Sequence, residues 1–261
     1  MLLLCIPLTR LFSHMHAKAL SIKEARPLAE RHVTLRNDLV AASHGLKTLA
    51  EQRVVKSCAA KLDSVRLDQG RYKITLSAAE YAETFTLDPN TAYEQLKEVS
   101  KSLLNRTIRR EEQTRRGLKV HLDHWVSGIT YHEGEAWVEL RFSHEATPYL
   151  VALCGNHTTY LLKQAAGLRS IYSWRLLELL MQFNDTGWRQ LDVEDFAKAM
   201  DAKESHRKNF KDLRRAIIEP AVKELIEKDG WLIDWTPVKA GRKVTALRFE
   251  FRRDPQGRLP V

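Results

Sequence analysis

Apolar residues recur at helical spacing along much of the chain and fall on alternate positions in a few stretches. In SHRKNFKDLRRAIIEPAVKELI, residues 205–226, Phe210, Leu213, Ile217, Ala221 and Leu225 form one stripe at 100° per residue, which predicts a helix with one buried side. Lys208, Lys211 and Arg215 cluster on the opposite side, and Arg214 lies nearer the apolar flank, a place for a structural pair. Pro220 removes a backbone donor and crowds the carbonyl four residues earlier, so the helix should kink or restart there. WLIDWTPV puts Trp231, Ile233 and Trp235 on one strand face, and TALRFEF puts Thr245, Leu247, Phe249 and Phe251 on another, around a turn at KAGRK. WVSGITYHEGEAWVELRF predicts a second hairpin around Gly134, and further helices are expected over about 38–62 and from Ser170 in SIYSWRLLELLMQF.

These elements repeat. LSAAEYA at 76–82 resembles LDVEDFA at 191–197, 115 residues later. Ser77 with Glu80, and Asp192 with Asp195, are plausible helix caps, since an oxygen accepts a free backbone N–H and an acid suits the positive helix end. A turn follows each, LDPN and then MDAKES, and Asp88–Pro89 is a good pairing of cap with first helical residue. A longer amphipathic segment comes next, with Tyr93 and Leu96 matching Phe210 and Leu213, and then strands. Helix, short strand, helix, turn, helix, hairpin is the order of a winged helix-turn-helix. The fold class is therefore α+β, with two tandem winged-helix domains related by internal pseudo-symmetry. The divisions expected are a flexible extension at 1–30, a first domain at 31–148, a second at 149–255 and a short tail at 256–261.

Charge sharpens the picture. The 261 residues hold 42 Lys plus Arg against 33 Asp plus Glu, a net of +9, which favours an anionic partner. The stretch 205–253 has 13 Lys plus Arg against 7 Asp plus Glu, a local net of +6, with Lys239, Arg242 and Lys243 at the hairpin turn. Basic residues at the leading half of a helix that follows a turn and a shorter helix sit where helix-turn-helix proteins meet base edges. They neutralise phosphates and donate to guanine O6 and N7. The first copy is a weaker reader, because its helix exposes Glu94, Gln95 and Glu98; its positive charge comes later, at Arg106, Arg109, Arg110, Arg115, Arg116 and Lys119. It is expected to clamp the backbone or contact protein.

Cys5, Cys58 and Cys154 are scattered, which fits neither a disulfide framework nor a cysteine zinc site and suits a reducing cytoplasm. The leading MLLLCIPLTR has its first basic residue after the apolar run, opposite to an export signal, and Met15 is an alternative start.

SIYSWRLLELL, NFKDLRRAIIEPAVKEL and AGRKVTALRFEF resemble the initiator Rep proteins of iteron-controlled bacterial plasmids, the Rep_3 type, and the looser LDPNTAYEQLKEVSKSLLNRTI fits as well. The resemblance covers about 31–253. It implies two winged-helix domains that bind directly repeated origin DNA as monomers, help open the duplex, and recruit the host initiator and helicase. It also implies dimers that repress the chain's own gene. On that likeness the main reading helix covers 205–215, adding Ser205, His206 and Arg207 to Lys208, Lys211, Arg214 and Arg215. The wing is 239–243, and the first copy's helix is 90–101, with Asn90, Thr91, Lys97 and Lys101 as DNA contacts. Dimer contacts fall in the first domain. The heptad series Leu28, Leu35, Ala42 and Leu49 reads as ordinary core rather than a zipper.

No cofactor and no enzymatic activity are expected. His14–Met15–His16 matches the metal pair of rolling-circle nucleases, with Tyr172 as a conceivable nucleophile, but that chemistry needs a rigid strand to aim both imidazoles. HLDHW at 121–125 lacks a carboxylate ligand set, no Walker A pattern occurs, and Trp174 reads as core. A winged-helix repressor without a replication role is the alternative; the same helices would serve both.

Overall fold

The computed structural model describes residues 26–62, 73–151 and 156–255. The expectations for residues 1–25, including Cys5 and His14–His16, for Cys154 and for the tail at 256–261 lie outside the described residues.

The chain opens with β1 (His32–Arg36), α1 (Asn37–Ala41) and α2 (Leu49–Lys61). The single helix expected over 38–62 is thus two. Gly45 takes a left-handed φ of 62°, and a Cβ there would lie 2.3 Å from the Thr107 carbonyl oxygen. Thr48 and Glu51 then start α2 afresh as a reciprocal capping box. The first winged unit follows as β2 (Lys73–Ser77), α3 (Ala78–Phe85), α4 (Pro89–Ser102), β3 (Thr107–Thr114), β4 (Gly117–His124), β5 (Val126–His132) and β6 (Trp137–Phe142). Ser77 caps α3 in a second capping box with Glu80, and Asp88 caps α4 with Pro89 in its first turn, as expected.

After β7 (His157–Leu161), α5 (Lys163–Ala166) and α6 (Ile171–Met181), the plan recurs as β8 (Trp188–Asp192) and α7 (Val193–Ala199). The short helices α8 (Glu204–Lys208) and α9 (Phe210–Leu213) lead to α10 (Glu219–Asp229), β9 (Trp231–Ala240) and β10 (Lys243–Arg253). Asp192 occupies the cap position of α7, but its side chain makes no cap hydrogen bond, unlike its counterpart Ser77.

The repeat is structural. The sheets run β2–β6–β5 and β8–β10–β9, the same order in both copies. After the shorter helix of each copy, Leu87 N–H donates to the Ala82 carbonyl at 3.0 Å, and Ala202 N–H to the Ala197 carbonyl at 2.9 Å. Both turns pass through a left-handed non-glycine residue, Thr86 at φ 50° and Asp201 at φ 49°. The matched residues Leu96 and Leu213 are both fully buried. Truncating Leu213 to alanine should destabilise the protein by ~2–5 kcal/mol, read by denaturant melting.

The copies share one core. β1 pairs antiparallel with β7, placing Val33 opposite Tyr160 across the division expected at 148/149. Leu28, Leu35 and Ala42 are buried in this core and Leu49 packs against it; they come from separate elements, so the heptad series is ordinary core. Trp174 is fully buried, with its indole N–H donating to the Tyr160 hydroxyl at 2.8 Å.

A charged hub sits inside. Arg175 is buried on α6 and donates to the carbonyls of Val40, Ala42 and Ala199 at 2.8–3.0 Å and to Glu178 Oε2 at 2.6 Å. Lys56 of α2 meets Glu178 Oε1 at 2.8 Å, with both side chains fully buried. Burial pushes the Glu178 carboxyl up, but Lys56 and Arg175 outweigh it and hold the group below the usual carboxylate range. Burial, then Arg175 and Lys56, hold the His44 ring well below the usual imidazole range. An unfolded chain takes up the His44 proton as pH falls below about 6.5 while the folded chain does not. Stability should therefore decline from pH 7 towards pH 5.5, by up to about 1.4 kcal/mol per pH unit for this group. Urea midpoints across that window check it, and an unchanged midpoint contradicts it.

Candidate nucleic-acid interface

The basic helix expected over 205–226 is broken once, at Asn209, and widened once, by a π turn before Pro220. Glu204–Lys208 forms one turn, and Asn209 leaves the helix at φ −133°, ψ 113°. Its side chain accepts the Lys211 N–H at 3.0 Å, the local bond by which asparagine competes with helix continuation and caps a new start. Residues Arg214–Ile218 form a π-helical turn, closed by Glu219 N–H donating to the Arg214 carbonyl. Pro220 lies in the first turn of α10, where its missing N–H costs least. The helix does not restart at Pro220: its backbone stays helical through residues 214–219, and the π turn there takes up the missing N–H; the break falls instead at Asn209, and it separates Arg207 and Lys208 from Lys211, Arg214 and Arg215.

The two faces divide as the periodicity predicts. Leu213, Ile217, Ala221 and Leu225 are buried and Phe210 is half-buried. Ser205, Arg207, Lys208, Lys211, Arg214 and Arg215 are exposed, and His206 is half-buried. Arg214 is the flank residue expected: it donates to Glu219 at 2.7 Å and lies 5.6 Å over the Trp235 ring. Lys208 pairs loosely with Glu204 at 3.4 Å. Lys211 and Arg215 make no ion pair among the described residues.

The wing completes this surface. Lys243 pairs with Ala240 across a tight turn in which Gly241 takes φ 62°. Lys239, Arg242 and Lys243 are exposed, and Lys239 and Arg242 form no ion pair among the described residues. Glu194 of α7 is held below the usual carboxylate range by its hydrogen bond with Lys198, and further by the charges of Arg207 and Lys243.

The first copy is less positive. Asn90 and Thr91 are exposed, with their backbone N–H groups held by Asp88. Lys97 donates to Glu133 of the β5–β6 turn at 2.7 Å, which holds its amine above the usual range. Lys101 is exposed, as are Glu94 and Glu98.

The later basic run lies at the start of and along the β3–β4 hairpin, which the expected elements did not include. Arg106 is half-buried and donates to the buried Glu51 at 2.9 Å, and Arg109 pairs with Glu111. Arg110 meets Asp123 at 2.7 Å, and Lys119 lies 3.8 Å from Glu112. Arg115 and Arg116 form the exposed hairpin tip. His121 and His124 lie on β4, and among the described residues no group of three His, Cys, Asp or Glu could hold a metal ion. Burial raises the Tyr172 hydroxyl above the usual phenol range, which works against a nucleophile. Among the described residues no helix is long and apolar enough to cross a membrane.

Comparison with known proteins agrees with this architecture. Residues 32–181 match the family model described as "Initiator Replication protein, WH1", and residues 192–251 match "Initiator Rep protein, WH2". An uncharacterized 27.6 kDa protein of Escherichia coli is 30% identical over 45% of this chain, and the match spans about half of that relative's length. A replication initiation protein of Escherichia coli is 24% identical over 88% of this chain and 72% of its own. The crystal structure of the Pi initiator protein in complex with iteron DNA superposes with a TM-score of 0.71, at 23% identity, covering 87% of this chain and 99% of that one.

Proposed function

The chain belongs to the initiator Rep protein family, a DNA-binding and non-enzymatic group, and we propose that it is a plasmid replication initiator that binds directly repeated origin DNA. The observation that carries this reading is that Lys211 and Arg215 on the helical segment, and Lys239 and Arg242 on the wing, are exposed and form no ion pair among the described residues, charge suited to the phosphates and base edges of a duplex. The shared fold with a protein solved on iteron DNA supports the same partner.

The first copy adds contacts to the sugar-phosphate backbone through Asn90, Thr91, Lys97 and Lys101. Of the hairpin cations, Arg115 and Arg116 at the tip suit DNA better than Arg106 and Arg109, whose charge is taken up by Glu51 and Glu111. Bound chains open the origin and recruit the host initiator and helicase, roles that rest on the family and place the protein in the cytoplasm.

Self-association uses β4. It pairs only with β3, its other edge is unpaired among the described residues, and Leu118 and Leu122 are 54% and 63% exposed along it. An open, apolar edge is a template for a second strand, here that of another copy. Such dimers would repress the chain's own gene.

The experiment is transformation of a plasmid carrying this gene and its flanking DNA into a host that cannot otherwise replicate it. Deleting the gene should abolish establishment. Unchanged establishment would favour a repressor without a replication role.

A further inference from the structure

We propose that the Asp201 carboxylate is a specificity-determining latch: together with the Arg175 bonds to Val40, Ala42 and Ala199, it fixes the phase between the two DNA-contacting units, and so the spacing within a repeat that the chain accepts. The inference rests on the reading above, in which both units engage the same duplex.

Asp201 sits in the turn between α7 and α8, immediately before the basic helix of the second copy. Its side chain turns away from that copy and holds the loop between α1 and α2 at the start of the first. Oδ2 accepts the backbone N–H of His44 at 2.9 Å and of Gly45 at 3.0 Å, and Oδ1 accepts the Ser43 hydroxyl. That loop is itself immobilised. Ser43 exchanges both backbone hydrogen bonds with Arg109 of β3, and Gly45 packs against the Thr107 carbonyl. A carboxylate taking three donors from one rigid loop makes charge-assisted bonds, the stronger class of hydrogen bond.

The internal repeat supplies a control. Thr86 occupies the same left-handed turn position in the first copy, and its side chain is exposed. The turn geometry therefore belongs to the helix-turn-helix, whereas the carboxylate is an addition specific to the second copy. Glycine adopts left-handed backbone without steric cost, so Asp201→Gly removes the carboxylate and keeps the turn. Two rigidly linked binding modules accept only duplexes on which both fit at once, while loosely linked modules trade affinity for tolerance.

Inserting one base pair between two contact regions rotates them by about 34° and separates them by about 3.4 Å. The test uses the full chain and duplexes carrying one copy of the direct repeat that it protects in the DNA flanking its own gene. The duplexes carry zero, one or two base pairs inserted at the centre of the protected stretch. Wild type should lose at least about tenfold in affinity for the first insertion, as one module can no longer seat on the duplex. Asp201→Gly, which removes all three bonds, should bind the uninserted duplex more weakly, yet lose at least about threefold less than wild type on insertion, since a looser linkage accommodates part of the change. Ser43→Ala, which removes one of the three bonds from the other side, should fall between them. It decides the matter if Asp201→Gly melts early. If wild type is spacing-sensitive and both variants are equally sensitive, the latch is wrong. If wild type does not bind the repeat, or ignores the insertion, the two-unit reading beneath the latch fails first.

Discussion

Replacing Arg175 by alanine should cost about 3–5 kcal/mol of stability, because it leaves the buried Glu178 with half its compensation. The guanidinium also serves the carbonyls of Val40, Ala42 and Ala199, which lie on segments remote in sequence. Each of these buried carbonyls loses its donor when the guanidinium is removed. In a chain of this size a loss of that order lowers the melting temperature by roughly 6–20 °C. Arg175→Lys should rescue little, since a single ammonium cannot span partners that a planar fork reaches on several sides. Calorimetry of both variants checks this, and a melting temperature within about 2 °C of wild type for Arg175→Ala would contradict the hub's role.

The other large effect is on binding alone. Lys208, Lys211 and Arg215 are exposed and none is part of the core, so changing all three to alanine should leave melting nearly unchanged. A side chain that reaches a base edge should cost ~1–3 kcal/mol of binding when truncated, and one that reaches a phosphate should lower the salt slope by about one. Together the three should weaken binding by at least about 10²-fold. Leu213→Ala should show the opposite pattern: a clear loss of stability, and weaker binding only in proportion to the unfolded fraction. If the triple variant melts as early as Leu213→Ala while its folded remainder binds normally, the basic face is structural.

Much of this molecule was legible because its elements obey local rules. The stripe of Leu213, Ile217, Ala221 and Leu225 follows from periodicity alone, and all four are buried. The capping box at Ser77 and the cap at Asp88 follow from side-chain chemistry at a helix start. The repeat emerged from seven-residue likenesses whose turn geometry agrees to within a degree of φ.

What stayed hidden depends on partners distant in sequence. Strand β4 does alternate Leu118, Val120 and Leu122 with Lys119, His121 and Asp123, a strand signal that the expected elements left out; that its apolar face stays exposed is visible only in the fold. The break at Asn209 is set by one side-chain bond that competes with a good helical pattern. Arg175 and Glu178 in an otherwise apolar helix, and Lys56 in VVKSCAA, are the signals that could have revealed the hub: charges three apart on a buried face need each other. Asp201 reads in sequence as an ordinary turn residue; its hold on residues 43–45 exists only once the two copies pack together.

The central claim, that the second copy's basic helix and wing bind directly repeated DNA, is tested most directly by a titration of the full chain against two duplexes, one with the origin repeats and one with the same bases scrambled. If the site engages about six to ten phosphates, affinity for the repeats should fall by ~10³–10⁵ between roughly 50 and 200 mM salt. At every salt concentration it should stay above affinity for the scrambled duplex. Equal affinity for the two duplexes, or a nearly flat salt response, would contradict the account.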